Sequence, residues 1–230
     1  MQDVSQPLHP VLVPRARRGR PPKTPMQLDE GNRRREIIRH AARLFRENSY
    51  GSTSTRDIAS SAGMHSGSPF YHFESKQILL FTVMCDGMTE AKEKQDTALA
   101  KMRSSGMPPK DLLYGLIRNH FEVLLGAGND FIPVMLYEYR SLNPQQQQVL
   151  ADQQSAYEAD WLSILKKLHQ QKRLHTSVKW ARLLIFGALN WSVQWHKMRE
   201  GSSQSNQLDV LAKAALNLFI HPVLTKEGRT

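Results

Sequence analysis

The sequence predicts an all-α protein of about nine helices, in which a small N-terminal three-helix unit is joined by a long helix to a larger bundle. Apolar residues recur with the period of a helix from residue 35 onward. No stretch has the alternation or the turn signals of a β-hairpin. We expect four parts: an arm over 1–32, a small domain over 33–80, a bundle over 81–222 and a tail over 223–230.

The N-terminal arm is basic and rich in proline. Residues 1–35 hold eight Lys or Arg residues, three acidic residues and six of the 12 prolines. Such a segment buries too little apolar surface to fold alone, so we expect it to be flexible. The whole chain has a net charge of +10 and a pI near 9.9, which favours a polyanionic partner.

Composition excludes several classes of protein. The single cysteine, Cys85, excludes an internal disulfide and fits a reducing cytosol; its apolar neighbours indicate a buried small residue rather than a redox sensor. No apolar run approaches the roughly 18–20 residues of a membrane span, and the N-terminus lacks a signal-peptide core. We therefore expect a cytoplasmic protein, associated with the nucleoid, that does not contact a membrane.

The most informative stretch is 54–76, which predicts two short helices joined at a glycine turn. Ser54 and Asp57 have the spacing of a capping box at the start of the first helix. Gly63 supplies the left-handed residue that ends this helix. A second short helix over 66–72 follows at once. This is the layout of a helix-turn-helix, whose second helix enters a DNA major groove.

The other helices are predicted from apolar periodicity and from caps. Ser75 caps the long helix, Pro133 lies in the first turn of a short one, and Asn143 caps the helix that begins at Pro144. Asn206 and Asp209 are predicted to cap the last helix. The expected ranges are 35–48, 76–103, 110–125, 130–142, 144–173, 176–199 and 208–220.

Residues 36–80 resemble the DNA-binding domain of the TetR/AcrR family of bacterial transcriptional regulators. The resemblance lies in Ala41 to Phe45, Gly51 to Ser54, Arg56 to Ala59, Ala62 to Met64, Gly67 to Phe73, Ser75 and Lys76. It implies an all-helical DNA-binding regulator without a cofactor or metal. By position, the resemblance implies DNA contacts from Thr55, Arg56, His65, Ser66, Ser68 and Tyr71, and a phosphate contact from Lys76.

The arm contains a second candidate for DNA contact. Residues 17–23 resemble the Arg-Gly-Arg-Pro core of AT-hook peptides. In that interpretation Arg18 and Arg20 lie in an A·T-rich minor groove, where the negative potential attracts arginine. The alternative is a disordered basic tail that raises only non-specific affinity.

A short recognition helix makes few contacts, so proteins of this kind bind paired half-sites as dimers, and we expect a homodimer on a palindromic operator. The candidate dimer surface lies on the two C-terminal helices. Ordinary intrachain core is the alternative interpretation of the same residues. The predicted interface residues are Leu183, Leu184, Val193, Leu211, Ala215 and Phe219.

The helices between residues 106 and 199 are expected to hold a pocket for a small apolar effector. Plain core packing is again the alternative. The candidate lining residues are Phe121, Leu124, Phe131, Met135, Tyr139, Trp161, Leu165, Trp191 and Trp195. Residues 190–197 also look similar to family members that sense acyl-coenzyme A, which implies phosphate contacts from Lys197 and Arg199. A basic helix end that complements the helix dipole is the alternative there.

Three functions follow from these features. The first is a repressor that an acyl-CoA thioester, a fatty acid or, in control of efflux, another hydrophobic compound releases from its operator. The second is an architectural DNA-binding protein that uses its basic arm; the aromatic-rich C-terminal half argues against it. The third, an enzyme, is rejected because His169 and His175 lack metal-ligand spacing and 126–129 follows no strand.

Overall fold

The computed structural model describes residues 25–64, 71–126, 128–174, 176–196 and 203–220. Over these residues the chain forms eight α helices and no strand, which confirms the predicted all-α class. Leu174 and Ile220 form an isolated β-bridge. The helices are α1 (Pro25–Ser52), α2 (Thr55–Ser61), α3 (Lys76–Ser104), α4 (Pro109–Leu125), α5 (Phe131–Glu138), α6 (Pro144–Gln170), α7 (Val178–Trp195) and α8 (Gln204–Phe219), with a 3₁₀ turn over Tyr139–Ser141 after α5.

The predicted caps are present in the small N-terminal unit and at two later helices. Ser54 and Asp57 form the capping box of α2, and the hydrogen bonds from Ser54 lower the pKa of the Asp57 carboxyl. The hydroxyl of Ser75 accepts from Ile78 N at the start of α3, and Asn143 caps α6. Gly63 has φ +66, the left-handed conformation that ends α2.

The first helix begins ten residues earlier than predicted. Pro25 occupies its first position, where the missing N–H costs nothing, so residues 25–32 of the expected flexible arm are helical. The helix is interrupted at Ser49, whose φ of 69° is left-handed, one residue after its predicted end. The buried Thr53 hydroxyl closes this region by donating to the carbonyl oxygens of Leu44 and Ser49.

Other helix ends also differ from the prediction. Helix α5 begins at Phe131, and the carboxylate of the preceding Asp130 accepts from Arg46 Nη1 at 2.7 Å. Asp209 likewise accepts from Arg118 Nε at 2.9 Å, and α8 begins after Ser203 rather than at Asn206. The helices α6 and α7 end at Gln170 and Trp195, before the predicted 173 and 199.

One continuous hydrophobic core joins the small unit to the bundle. Phe45 and Ile58 are buried between α1 and α2, and Leu80 and Met84 extend the same core along α3. The close contact of α3 with α5 depends on Gly87, because a Cβ built there would lie 2.0 Å from the Phe131 ring. Changes in the bundle can therefore reach the N-terminal unit through packed side chains.

Candidate DNA-binding surface and effector site

The first turn of α2 presents two of the predicted DNA contacts to solvent. Arg56 is exposed and Thr55 is half-buried. Tyr71, which lies in a helical segment after the turn, is 81% exposed. The capping box fixes the end of α2 next to these side chains. Arg18, Arg20, His65, Ser66 and Ser68 lie outside the described residues, as does Phe70.

Lys76 has a different environment from the one that its family position implied. Its ammonium donates to the carbonyl oxygens of Tyr50 and Thr53, both at 2.9 Å, and lies 4.2 Å from the centroid of the Tyr50 ring. A cation at free helix-end carbonyls is favourable because the helix dipole is negative there. In this structure two of the three ammonium hydrogens of Lys76 therefore close the end of α1.

Several polar contacts join the N-terminal unit to α5 and to the segments on either side of it. Arg46 forms an ion pair with Asp130, as described above. The backbone N–H of Tyr50 donates to Glu138 Oε1 at 2.9 Å. Gln77 Nε2 donates to the carbonyl oxygen of Ser141 at 3.4 Å. A displacement of α5 would therefore act directly on α1 and on the start of α3.

The interior of the bundle contains a small cavity of about 20 Å³ beside α5. Of the predicted pocket residues, only Met135 lines it; Phe121, Leu124, Trp161 and Leu165 are buried in core packing, and Tyr139 is half-buried. Ligand pockets usually measure about 300–1,000 Å³, so an effector requires this cavity to open. Its walls are formed by Met88, Ala91, His120, Ile132, Met135, Gln154, Tyr157, Glu158, Phe186 and Asn190.

A hydrogen-bonded network that sequence reasoning missed forms the polar wall of this cavity. His120 Nδ1 lies 3.0 Å from the Tyr157 hydroxyl, and Nε2 lies 2.9 Å from Asn190 Oδ1. The imidazole also meets the rings of Trp161 and Phe186 edge-on. Burial lowers the pKa of His120 to about 4 and raises that of Tyr157, so both are neutral at neutral pH.

Charged groups border the same network. Arg182 on α7 forms an ion pair with Glu158 on α6, and Gln154 Nε2 donates to the other carboxylate oxygen at 3.0 Å. Nearby, Trp161 Nε1 donates to Gln95 Oε1, and Gln95 Nε2 donates to the Tyr157 carbonyl. A lone buried histidine on a helix gives no sequence signal, because its partners lie 37 and 70 residues away.

Wider concavities lie elsewhere, and two of them matter here. One of about 250 Å³ lies between α1, α3 and α5 and includes Phe131, which was predicted to line the effector pocket. The other, of about 470 Å³, is a groove on the outer side of α3 and α4 beside Met102 and Tyr114. Both are open to solvent. The interior cavity differs from both, because apolar walls surround converging polar groups there.

The outer side of α7 is an exposed apolar face. Trp191 and Trp195, predicted to line the pocket, are 64% and 56% exposed, because they lie roughly 120° around the helix from the buried Ile185 and Leu189. Leu183 and Leu184 are exposed as well, at 42% and 58%. Lys197 and Arg199 lie outside the described residues.

The C-terminal helix α8 continues this face. Val210 and Leu218 are 69% and 70% exposed, although neither was predicted as an interface residue. Trp180 on α7 is also exposed, and it was not predicted as an interface residue either. The other predicted interface residues, Val193, Leu211, Ala215 and Phe219, are half-buried against the core. We define the outer apolar face as Trp180, Leu183, Leu184, Trp191, Trp195, Val210 and Leu218.

The described residues contain neither a membrane-spanning helix nor a cluster of metal ligands. No helix in the described part of the chain is long and apolar enough to cross a bilayer. Among the same residues, no group of three or more His, Cys, Asp or Glu side chains could hold a metal ion.

Two protein families match the chain. Residues 37–83 match "Bacterial regulatory proteins, tetR family", and residues 106–219 match "Tetracyclin repressor-like, C-terminal domain". The first match contains α2 and the residues around it. The second contains the outer apolar face and most of the residues that line the interior cavity, but not Met88 and Ala91.

Individual relatives agree with these matches. The chain is 25% identical over 147 residues to the HTH-type transcriptional repressor KstR2 of Rhodococcus jostii, covering 64% of this chain and 70% of that protein. It is 25% identical over 193 residues to the fatty acid metabolism regulator protein of Bacillus subtilis, covering 83% and 95%. The structure of AibR in complex with isovaleryl coenzyme A and operator DNA aligns with a TM-score of 0.71 at 20% identity, covering 83% of this chain and 99% of that one.

Proposed function

Because the chain belongs to the TetR family of bacterial transcriptional regulators, we propose that it represses transcription by binding an operator as a homodimer, and that a small apolar effector releases it. The observation that carries the DNA-binding proposal is the exposed Arg56 on the capped first turn of α2, inside the matched residues 37–83. Relatives named as repressors support the direction of regulation.

The operator contacts come from both helices of the helix-turn-helix. Arg56 suits a bidentate contact with guanine O6 and N7 or a phosphate contact, and Thr55 and Tyr71 offer hydroxyls. His65, Ser66 and Ser68 are assigned by the family resemblance. The arm adds minor-groove contacts from Arg18 and Arg20.

A binding titration tests this assignment. Fluorescence anisotropy with duplex DNA from the region flanking the gene should give an affinity about 10- to 100-fold lower for Arg56→Ala, since a base contact contributes roughly 1–3 kcal/mol. Arg103→Ala is the matched control, because Arg103 lies at the far end of α3 and pairs with Asp160. Equal affinities for both variants and the unaltered protein would refute the role of Arg56.

The same titration separates the two interpretations of the arm. Deletion of residues 1–24 should weaken binding more on a site with A·T-rich flanks than on one with G·C-rich flanks if Arg18 and Arg20 enter the minor groove. An equal loss on both duplexes supports a non-specific tail instead. A specificity ratio near one for the full chain would favour an architectural protein over a repressor.

Dimerisation through the outer apolar face explains why so many large apolar side chains on α7 and α8 are exposed. Trp191→Glu together with Leu184→Glu should convert the dimer to a monomer in light scattering, because burying two carboxylates at an apolar interface is costly. Arg103→Glu, remote from α7 and α8, is the control. A monomeric unaltered protein would refute the proposal.

The effector is an acyl-CoA thioester or a free fatty acid. Support comes from the relative named as a fatty acid metabolism regulator and from AibR, whose complex contains isovaleryl coenzyme A. Entry of the acyl chain beside Met135 displaces α5, and α5 contacts α1 through the Arg46–Asp130 and Tyr50–Glu138 bonds. The operator affinity changes only by the difference in effector affinity between the two arrangements.

Titration of octanoyl-CoA and octanoate into the operator complex tests the effector class. Either compound should release the DNA at a saturable concentration, whereas free coenzyme A should not. If neither acts, a panel of cationic and neutral hydrophobic compounds, the substrates of efflux, is the next comparison. Release by that panel alone would replace the lipid effector with a drug-like one and leave the repressor proposal intact.

A further inference from the structure

The positive charge of the chain is concentrated in two separate segments. Residues 1–35, with eight basic and three acidic residues, account for five of the ten net positive charges. Residues 161–199 hold eight Lys or Arg residues and neither Asp nor Glu. The residues between them, 36–160, hold 12 basic and 15 acidic residues, although they include α2. The second basic segment is therefore a local feature of the C-terminal half and not a general property of the protein.

Four lysines of this second segment are exposed at one end of the bundle. Two lie near the end of α6, one follows this helix in the turn, and one is the second residue of α7. The Arg182–Glu158 ion pair holds the second turn of α7 against α6, about three turns before α6 ends. The four ammonium groups therefore belong to the same end of the molecule. We define the basic end as these exposed residues, Lys166, Lys167, Lys172 and Lys179.

The sequence around the basic end provides no helical partner for its charges. Ion pairs on a helix join residues three or four positions apart, as Lys94 and Glu90 do in α3. No Asp or Glu occupies such a position around Lys166, Lys167 or Lys179. None of the four lysines forms an ion pair with a described residue.

The nearest acidic residues of α6 are bound to other cations. Asp160 pairs with Arg103 at 2.8 Å and lies 3.7 Å from the Lys92 ammonium. Glu158 pairs with Arg182. Both carboxylates are thus engaged on the inner side of α6, and the lysines beyond them keep their charge without a protein counter-ion.

The helix dipole accounts for only part of this cluster. Lysines at the carboxyl end of α6 are favourable because the dipole is negative there. Lys179 lies at the amino end of α7, where the dipole disfavours a cation, and no acidic residue occupies that first turn. Its ammonium lies 5.6 Å from the centroid of the Trp180 ring, which has no net charge. Stabilisation of helix ends therefore does not explain all four charges.

The basic end lies far from the surface proposed to bind the operator. Helix α6 begins just after Ser141, whose carbonyl oxygen accepts from Gln77 at the start of α3. The helix has 27 residues and is therefore about 40 Å long. Lys166 and Lys167 lie near its other end, roughly 30 Å from the N-terminal unit. An operator contacted by Arg56 therefore leaves the basic end open to a second polyanion.

We infer that the basic end binds the phosphate backbone of a second DNA duplex, without sequence preference, while the operator is held at the other end of the molecule. This inference rests on the proposed function, because operator binding keeps the protein beside other segments of the same DNA. Such segments are present at a high effective concentration. A lysine ammonium is a point charge that binds phosphate without a fixed geometry, which suits contacts of this kind.

A lipid surface suits the basic end less well. Helices that bind a bilayer insert an apolar face beside their basic residues. The large apolar side chain next to these lysines, Trp180, belongs to the outer apolar face that the proposed dimer buries. A homodimer carries two basic ends and hence eight lysines for the second duplex.

A two-duplex capture experiment tests the inference. The full chain is bound to an immobilised operator duplex, and a fluorescent duplex of the same length without the operator is then added. The protein should retain the fluorescent duplex, and its affinity for that duplex should fall about 100-fold between 50 and 200 mM salt, as expected for four phosphate contacts. Failure to retain the second duplex overturns the inference, and so does retention that does not depend on salt.

Substitutions by glutamine separate the basic end from the rest of the chain. Replacement of all four lysines should lower the affinity for the second duplex at least about 10-fold at 100 mM salt and leave operator affinity unchanged. The pair Lys166→Gln and Lys167→Gln should lower it by a smaller factor. The matched control is the pair Lys92→Gln and Lys94→Gln, which removes the same charge from α3. Equal losses for the two pairs overturn the inference, as does undiminished capture by the fourfold variant, which would assign capture to the arm.

Two competitors identify the class of polyanion. Vesicles that contain phosphatidylserine and soluble polyglutamate are each added at the same concentration of negative charge as unlabelled duplex. The unlabelled duplex should displace the fluorescent duplex most effectively. Stronger displacement by the vesicles would make the basic end a membrane-binding surface, and stronger displacement by polyglutamate a site for an acidic protein. Either result overturns the inference.

Lysine acetylation covers the case in which operator binding itself fails. A water-soluble ester acetylates exposed lysines of the unaltered protein, and mass spectrometry gives the rate at each position. An excess of duplex without the operator should slow acetylation of Lys172 and Lys179 and leave that of Lys94 unchanged. Protection without operator affinity would refute the repressor proposal alone. The absence of protection overturns the inference whether or not the operator is bound.

Discussion

Polar side chains serve different purposes in the N-terminal unit and in the interior of the bundle. In the N-terminal unit several of them bind backbone groups at helix ends: Ser54 caps α2, Thr53 donates to two carbonyl oxygens, and Lys76 donates to two more. In the bundle they pair with one another across helices, as His120 does with Asn190 and Trp161 with Gln95.

This difference suits the two halves of a regulator. A side chain bound to a helix end helps to fix where that helix begins or ends. A pair of side chains on different helices can exchange one partner for a ligand while both helices stay folded. The bundle interior is therefore the part that is better suited to respond to a ligand.

The largest loss of stability is expected from removing an aromatic ring in the bundle core. Trp161→Ala deletes a fully buried ring and leaves Gln95 Oε1 without its donor, so the free energy of unfolding should fall by about 3–5 kcal/mol. Urea unfolding measures it. Trp180→Ala is the control because Trp180 is 55% exposed, and it should cost far less in the monomer. Similar losses for both would contradict the assignment of inner and outer faces.

A pH titration separates the bundle network from the rest of the molecule. Burial lowers the pKa of His120 from 6.5 to about 4, so the unfolded chain takes up a proton between these values that the folded chain cannot. Its contribution is fully present above pH 6.5 and is lost as the pH falls towards 4, by up to about 3 kcal/mol. The free energy of unfolding of His120→Phe should lack this pH-dependent loss. Equal slopes of unfolding free energy against pH for the variant and the unaltered protein would contradict the prediction.

An intermediate loss of stability is expected from removing the Lys76 ammonium in the N-terminal unit. Lys76→Met removes the ammonium that donates to the Tyr50 and Thr53 carbonyl oxygens, and unfolding free energy should fall by about 2 kcal/mol. Lys101→Met, at an exposed position of the same helix, is the control. If Lys76→Met lowered only operator affinity and left stability unchanged, the phosphate contact implied by the family position would be the better account.

The smallest loss of stability is expected from removing a single helix cap, the Ser54 hydroxyl. Ser54→Ala leaves Asp57 N without its side-chain acceptor and should lower the unfolding free energy by about 1 kcal/mol. Hydrogen exchange of the α2 amides should rise more than that of the α6 amides, because the loss is local. Uniform faster exchange in both helices would contradict the view that this bond acts only at the end of α2.

The local sequence was sufficient to predict the all-α class, the capped first helix of the predicted helix-turn-helix and most caps. The predicted second helix over 66–72 lies mostly outside the described residues. Ser54 with Asp57, and Asn143 with Gln146, are three residues apart, and so the chain carries both partners of each bond. Periodicity placed Ile37, Phe45 and Ile58 in the core for the same reason. Short separations make such features readable from one sequence.

Only the tertiary structure decided which of several chemically similar residues are buried and which are exposed. Trp161 is buried and Trp191 is exposed, although both were candidates for the pocket, because only packing fixes which side of a helix faces inward. Asp209 was predicted to cap the last helix, but its carboxylate accepts from Arg118, which is 91 residues away. The His120 network likewise joins residues from three helices, and its partners become neighbours only when the bundle is formed.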